Sequence, residues 1–292
     1  MSYTPSLGLQ VVDTIQYVEE STFGTFPTNP TMNWVGVDMQ YSDNADMGSI
    51  LIRNLGSEDL KYVEKGADNY DITLDYAIQT SAFLKYLANS QGGGSGSIDK
   101  SLSLVIAPKV NATTEYLAIS GCRPDSGSIK WQLGKELRAN VKLFAQTIAA
   151  YSTTSPVGTG TFATDPGTAP WIFTSPGSSG ITIGGTAYDI NDLTISFKRN
   201  LNRVRAIGQS TARYIVPTVR DITFDVTILL EATANYSALL NDTSQTIVAP
   251  LLNGTSTLTL SNAYFVKQGK SIKVNDVIME KYSGVAETAT LT

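Results

Sequence analysis

The chain has 292 residues, 42% of them hydrophobic and only 16% charged, with a net charge of −5, one cysteine and no histidine. That length suits about two domains, each large enough to bury a core. The composition excludes histidine-based catalysis and metal sites, thiolate zinc sites and any intrachain disulfide, and its acidic balance argues against a protein built to grip nucleic acid.

In chain order, residues 1–34 read as an irregular arm ending at Pro27, Pro30 and Trp34. The residues leave open whether this arm packs on its own domain or reaches a neighbouring subunit. No basic stretch followed by an apolar one opens the chain, so no signal peptide is expected. Short segments rich in β-branched and aromatic residues then predict strands at 72–78, 101–107, 115–121, 128–133 and 139–146. Between the first two, QTSAFLKYLANS (79–90) predicts a helix, with Ala82, Phe83, Tyr86 and Leu87 on one face and Thr80 or Ser81 as cap. Residues 151–186, dense in Ser, Thr, Gly and Pro, read as a linker. Trp171, Ile172 and Phe173 within it predict a strap pinned to the protein. Further strands are expected at 222–230, 256–262, 271–277 and 278–284, with a second helix at 231–242.

The chain also repeats itself. DITLDYAI (71–78) returns as DITFDVTI (221–228), identical at five of eight positions. Leu55, Gly56 and Tyr62 match Ile207, Gly208 and Tyr214, VIAP (105–108) matches IVAP (247–250), and Ser128-Ile129-Lys130 matches Ser271-Ile272-Lys273. Length changes fall in loops, chiefly at QGGGSGSI (91–98), as expected of a duplicated domain. The predicted organisation is an arm (1–34), a first copy (35–150), the linker (151–186) and a second copy (187–292). The expected fold is mainly β: two tandem homologous β-sandwich or barrel domains, each with one flanking α-helix and a long hairpin.

No catalytic constellation emerges. The Gly-rich passages lack the phosphate-loop signature. Asp71 with Asp75, repeated as Asp221 with Asp225, places two carboxylates on one strand face. Such pairs serve acid–base chemistry or simply lie solvated or facing a lumen, and the second reading is preferred. Four sequons, at Asn111, Asn235, Asn241 and Asn253, fit chance in a chain this rich in Ser and Thr. No run approaches the eighteen or so apolar residues of a membrane helix, and no cofactor or metal is expected.

Charge separates the copies. From Asp43 to Asp68 six acids, including Asp46, Glu58 and Asp59, face three bases, Arg53, Lys61 and Lys65. The matching stretch from Lys198 to Arg220 holds six bases, among them Arg199, Arg203, Arg205 and Arg213, and no acid. Asp46, Arg53, Glu58, Asp59, Arg199, Arg203, Arg205 and Arg213 are therefore candidate inter-subunit or inter-ring contacts, setting register more than affinity. Two other readings stand beside this one: a charged guard on an edge strand, and a grip on nucleic acid, which the absence of interleaved aromatics disfavours.

Residues QYVEESTFGTFPTNP (16–30) resemble the opening of tail tube proteins from long-tailed (siphovirus-like) viruses of bacteria and archaea: a short strand, a Glu-Glu-Ser-Thr turn, then an aromatic-Gly-Thr-x-Pro stretch. Here these are Tyr17-Val18, Glu19-Glu20-Ser21-Thr22 and Phe23-Gly24-Thr25-Phe26-Pro27, making Tyr17, Glu19, Glu20, Phe23 and Phe26 candidate arm contacts. The resemblance implies a structural virion protein rather than an enzyme. It implies rings stacked into a hollow tube, sheets joined across subunits into a lumen barrel, and hairpins and arms bridging rings. With two copies per chain, the expectation is a trimeric, pseudo-hexameric ring. Implied partners are the protein itself, tape-measure and tail-end proteins, and double-stranded DNA in transient passage without specific binding. Implied localisation is the virion tail, after assembly in the host cytoplasm. A secreted or surface tandem β-sandwich binding a glycan or receptor is the alternative, weakened because the tryptophans do not duplicate.

Overall fold

The structure, a computed structural model, describes residues 11–53, 59–89, 100–110, 113–173, 180–229, 237, 241–252, 256–271 and 279–292. The first half opens with β1 (Val11–Glu19), β2 (Asn33–Trp34) and β3 (Val37–Asp46). A hairpin of β4 (Ile50–Arg53) and β5 (Leu60–Glu64) follows, then β6 (Asn69–Ala77) and the helical turn α1 (Lys85–Ala88). Next come β7 (Leu102–Val110), β8 (Thr113–Thr114), β9 (Leu117–Gln132), β10 (Lys135–Glu136), β11 (Arg138–Ala145) and β12 (Thr147–Ile148). The intervening segment carries β13 (Ile172–Phe173), β14 (Thr182–Ile183) and β15 (Thr186–Ala187). The second half holds β16 (Ile190–Lys198), a hairpin of β17 (Asn202–Val204) and β18 (Tyr214–Val216), then β19 (Asp221–Leu229), β20 (Gln245–Leu252), β21 (Ser256–Ser271) and β22 (Met279–Leu291).

The protein is mainly β. Eight strands lie side by side in the order β3-β6-β11-β9-β16-β19-β22-β21, every neighbouring pair antiparallel. Strict alternation fixes their register. In β6, Ile72, Leu74 and Tyr76 are buried while Asp71, Thr73 and Asp75 face outward, and β11, β16 and β19 repeat the pattern. β7 and β1 form a second layer with the opening residues of β9, and β20 with β14 does the same beside β21. Each of the large inward side chains contributes about 1.5–3 kcal/mol by leaving water.

Several elements differ from expectation. The strands expected at 115–121 and 128–133 merge into one 16-residue strand, β9 (Leu117–Gln132). It pairs with β7 up to Cys122 and with β11 from Arg123 onward, so one strand serves both layers. The change of partner falls at Gly121, whose φ of +69° suits glycine and whose added Cβ would lie 2.5 Å from the Gln146 side chain. The predicted helix at 79–90 shrinks to the single turn α1, preceded by turns; Phe83, Tyr86 and Leu87 are buried as expected, whereas Ala82, outside the helical turn, is exposed. Ser81 does not cap it, because its hydroxyl meets Ser256 instead. The second predicted helix and the 271–277 strand fall almost wholly outside the described residues. The arm is not irregular throughout: β1 pairs along its length with β7.

The linker is pinned, as Trp171 and Phe173 predicted. Both side chains are buried, Trp171 N–H donates to Ile78 O, and β13 pairs with β10. One hydrophobic cluster runs through both halves rather than two separate cores. Trp131 explains part of this, and also why it has no aromatic counterpart: it is buried at the junction and donates from Nε1 to Pro250 O at 3.2 Å.

Tyr17, Tyr41, Tyr76, Tyr86 and Tyr282 are all held protonated well above the usual 10, burial being the first cause in each. Their contribution is intact below pH 10 and is lost as pH rises past it, because only the unfolded chain then releases those protons. Arg199, pulled down to about 9 from 12.5 by burial and by Arg220 and Arg123, acts in the opposite sense over that range. Arg220, pulled down by burial, acts as Arg199 does, so two groups stand against these five tyrosines. Urea midpoints are therefore expected to fall steadily above pH 10, with the tyrosinate absorbance of these five side chains appearing only alongside unfolding.

Candidate functional site: a docked hairpin and two free edges

The halves meet edge to edge. β9 pairs with β16 from Ser126↔Lys198 to Gln132↔Asp192. β16 turns at its end into the β17–β18 hairpin, which lies back across the first half. Arg203 Nη2 donates to Tyr70 O at 3.0 Å and to the Asp71 carboxylate, and its guanidinium stacks 3.8 Å from the Phe144 ring centroid. Lys142 meets the same carboxylate at 3.0 Å. Burial alone would raise the Asp71 pKa, but Arg203 and Lys142 outweigh it and hold it below the usual range. Arg205 donates to Asp68 O and Asn69 Oδ1. Burial would likewise raise Asp68, and the Ser210 hydroxyl with Lys65 reverses it. Beneath these polar contacts Leu201, Ala212 and Ile215 are buried against Phe23 and Phe144.

Arg199 sits deeper. Its Nη2 donates to the carbonyls of Tyr86, Leu87 and Asn89, each at 2.6 Å, and Arg220 reaches Ala88 O at 3.0 Å. Two arginines of the second half thus satisfy the carbonyls that end the helical turn of the first, where the backbone favours positive charge. Arg213 lies over the Tyr214 ring, 5.5 Å from its centroid. The structure therefore gives Arg199, Arg203 and Arg205 partners within the chain, in a contact between unlike halves.

The acidic candidates sit elsewhere. Asp46 and Arg53 are exposed; Asp46 Oδ1 accepts from Gly48 N at 2.9 Å, closing the turn into β4. Asp59 lies at the start of β5, and Glu58 lies outside the described residues. The hairpin they flank exposes Ile50, Leu51, Ile52, Leu60, Tyr62 and Val63.

The arm candidates are engaged inside the chain. Tyr17 is buried against Phe83 and Tyr86. Glu19 accepts from the Tyr86 hydroxyl and lies 3.6 Å from Lys85. Glu20, 3% exposed, accepts four hydrogen bonds, from the hydroxyls of Ser101 and Ser103 and the backbone N–H groups of Gly121 and Gly24, at 2.6–2.8 Å. Phe26 packs with Met32, Val105 and Val157. The strand carboxylates pair similarly: Asp75 takes Arg138 at 2.5 Å, and Asp225 accepts from the Ser283 hydroxyl.

The two outer strands of the eight-strand array each keep an edge without a partner among the described residues. β3 pairs only with β6. β21 pairs with β20 as far as Ala263, and beyond that residue only with β22. These are the two outer edges of the eight-strand array, and nothing in the local sequence of either distinguishes an edge strand from a central one. Among the described residues no group of acidic or cysteine side chains is placed to hold a metal ion, and no helix is long and apolar enough to cross a membrane. A family model described as phage tail tube protein matches residues 13–290. No curated protein matches the chain.

Proposed function

The chain belongs to the phage tail tube protein family, a non-catalytic structural family, and from that premise we propose that three copies close into a pseudo-hexameric ring that stacks into a DNA-conducting tube. The observation that carries this reading is the seam inside the chain. The order β3-β6-β11-β9 is followed by β16-β19-β22-β21, and pairing DIT strand with DIT strand matches the two orders strand for strand. β14 likewise lies on β20 as β1 lies on β7. This supports a duplication reaching back to the arm. The SIK echo departs from it, since Lys267 rather than Ser271 holds the place of Ser128 in the ladder.

The link between copies is then β9 on β16, and repeating it outward sets the free part of β21 against β3 of the next chain. Such a contact is head to tail, so it propagates until it closes. Closure also removes both exposed edges, which otherwise invite aggregation.

Size selects three chains. With strands about 4.8 Å apart and tilted about 40°, twenty-four strands close at a backbone radius of about 24 Å and sixteen at about 16 Å. Allowing about 5 Å for inward side chains leaves bores about 38 and 22 Å wide. The wider passes a hydrated duplex; the narrower is filled by it. The open face of the sheet is polar, setting Thr73, Thr194, Ser196, Thr223 and Asp225 among the lysines Lys130 and Lys142. In this reading the tube stands in the virion tail after assembly in the host cytoplasm, between tape-measure and tail-end proteins.

Electron microscopy of the purified protein is expected to show hollow tubes or three-fold rings; uniform monomers at high concentration would refute the reading. N–H directions alternate along a strand, so of Ser42 and Asp43 one donates toward the free edge. One of the variants Ser42→Pro and Asp43→Pro is therefore expected to fold normally yet remain monomeric in sedimentation, since proline is tolerated on an edge while blocking its extension.

A further inference from the structure

We infer that the β4–β5 hairpin docks sideways, within the same ring, into a cavity on the second half of the neighbouring copy. The inference rests on the tube reading above and specifies a contact that reading leaves undefined. Its template is the β17–β18 hairpin, which already lies across the half to which its root strand is paired.

Corresponding positions of the two hairpins differ in one respect. Ile215 and Ala212 are 1% and 2% exposed beneath the docked hairpin, whereas their counterparts Val63 and Leu60 are 61% and 41% exposed. Leu51, the counterpart of Arg203, is 55% exposed. Solvent has no call for three apolar side chains at the positions a docked hairpin buries. The first hairpin is shaped for a surface that its own chain does not provide.

That surface exists on the second half. Register carries Asp71 onto Asp221, and Lys142, opposite Thr73, onto Val285, opposite Thr223. Around Asp221 and Val285 opens a cavity of about 550 Å³, lined also by Phe197, Lys198 and Ala286. It occupies the place that the second hairpin fills on the first half. Val285 and Val219 stand exposed there.

The substitutions are paired. Where the internal contact sets Arg203 beside Lys142, Phe144 and Asp71, the external one sets Leu51 beside Val285, with the exposed Glu287 in the place of Phe144. Lys198 adds a positive rim for the hairpin's Asp59 and Glu64. Exchanging the hairpins would press Leu51 onto the Asp71 ion pair, stripping water from charges without replacing it. Each hairpin thus selects its own half, and the occupant of the cavity is a second copy of this chain.

The test is chemical cross-linking of L51C/V285C protein with a short bis-maleimide, after assembly has been verified by electron microscopy. The native Cys122 is buried and its thiol pKa is raised by burial, so it stays silent. A sideways contact in a closed ring of three gives a covalent ladder that stops at three chains, and neither single variant cross-links. A ladder running past three chains places the hairpin between rings and overturns the inference, as do intact tubes with no cross-link. Protein that never assembles overturns the tube reading instead. As a second readout, Leu51→Asp is expected to raise the concentration needed for assembly roughly tenfold or more. The melting temperature of its dissociated chain should not change, because Leu51 is exposed there.

Discussion

Replacing Arg199 with alanine is expected to cost about 3–5 kcal/mol of unfolding free energy, read as a lower urea midpoint at pH 7. The side chain is 1% exposed and donates to three carbonyls at the end of α1. Truncation leaves those carbonyls unpaired and opens a cavity between α1 and the second half. Methionine at the same position fills most of the volume and restores none of the hydrogen bonds, so the gap between the two variants measures the polar share. Arg199→Met is expected to recover less than half of the loss. A change below about 1 kcal/mol in both would mean that water satisfies the helix end and that Arg199 is a passenger.

Glu20→Ala is expected to be nearly as damaging, at about 3–4 kcal/mol, since a charge-assisted acceptor with four donors disappears from a buried site. The loss is local in shape. β1 keeps its ladder with β7, while the turn from Ser21 to Phe26 loses the carboxylate that ties it to Gly24, Gly121 and Ser101. Phe23 touches the docked hairpin through this turn, stacking near Tyr214. Faster hydrogen exchange should therefore appear at 21–27 and at 212–216, with the centre of β6 unchanged. Glu20→Gln keeps the volume but turns one acceptor into a donor facing other donors, and should retain only part of the stability.

Much of the fold was legible because half-buried strands write their period into the sequence. β6, β11 and β19 alternate, and they lie where alternation places them. The pinned linker was legible from Trp171 and Phe173, apolar aromatics in a polar segment. What stayed hidden depends on contacts between distant residues. The helix at 79–90 has the right spacing, yet Arg199 and Arg220, more than a hundred residues later, take up the carbonyls where α1 stops. β9 reads as two strands because Gly121 to Arg123 interrupts the pattern where the strand changes layers. The basic cluster from Lys198 to Arg220 was visible as charge, but charge does not say whether its partner lies in the same chain. The exposed Leu51, Leu60 and Val63 looked like ordinary strand residues until Arg203, Ala212 and Ile215 were seen docked. Comparing the two hairpins position by position was the signal available earlier.

The seam between β9 and β16 also changes the kinetics of building a ring. It joins two halves of one polypeptide, so the partners are never separated by diffusion and their effective concentration does not fall with dilution. In the ring of three chains proposed above, three of the six lateral seams lie within chains, and each bimolecular step avoided spares an ordering penalty of about 4–15 kcal/mol. The nucleus is then a complex of fewer bodies, and the rate of ring formation depends on a lower power of subunit concentration. A virus making tails in a cell where this protein is still scarce would gain most from that lower order.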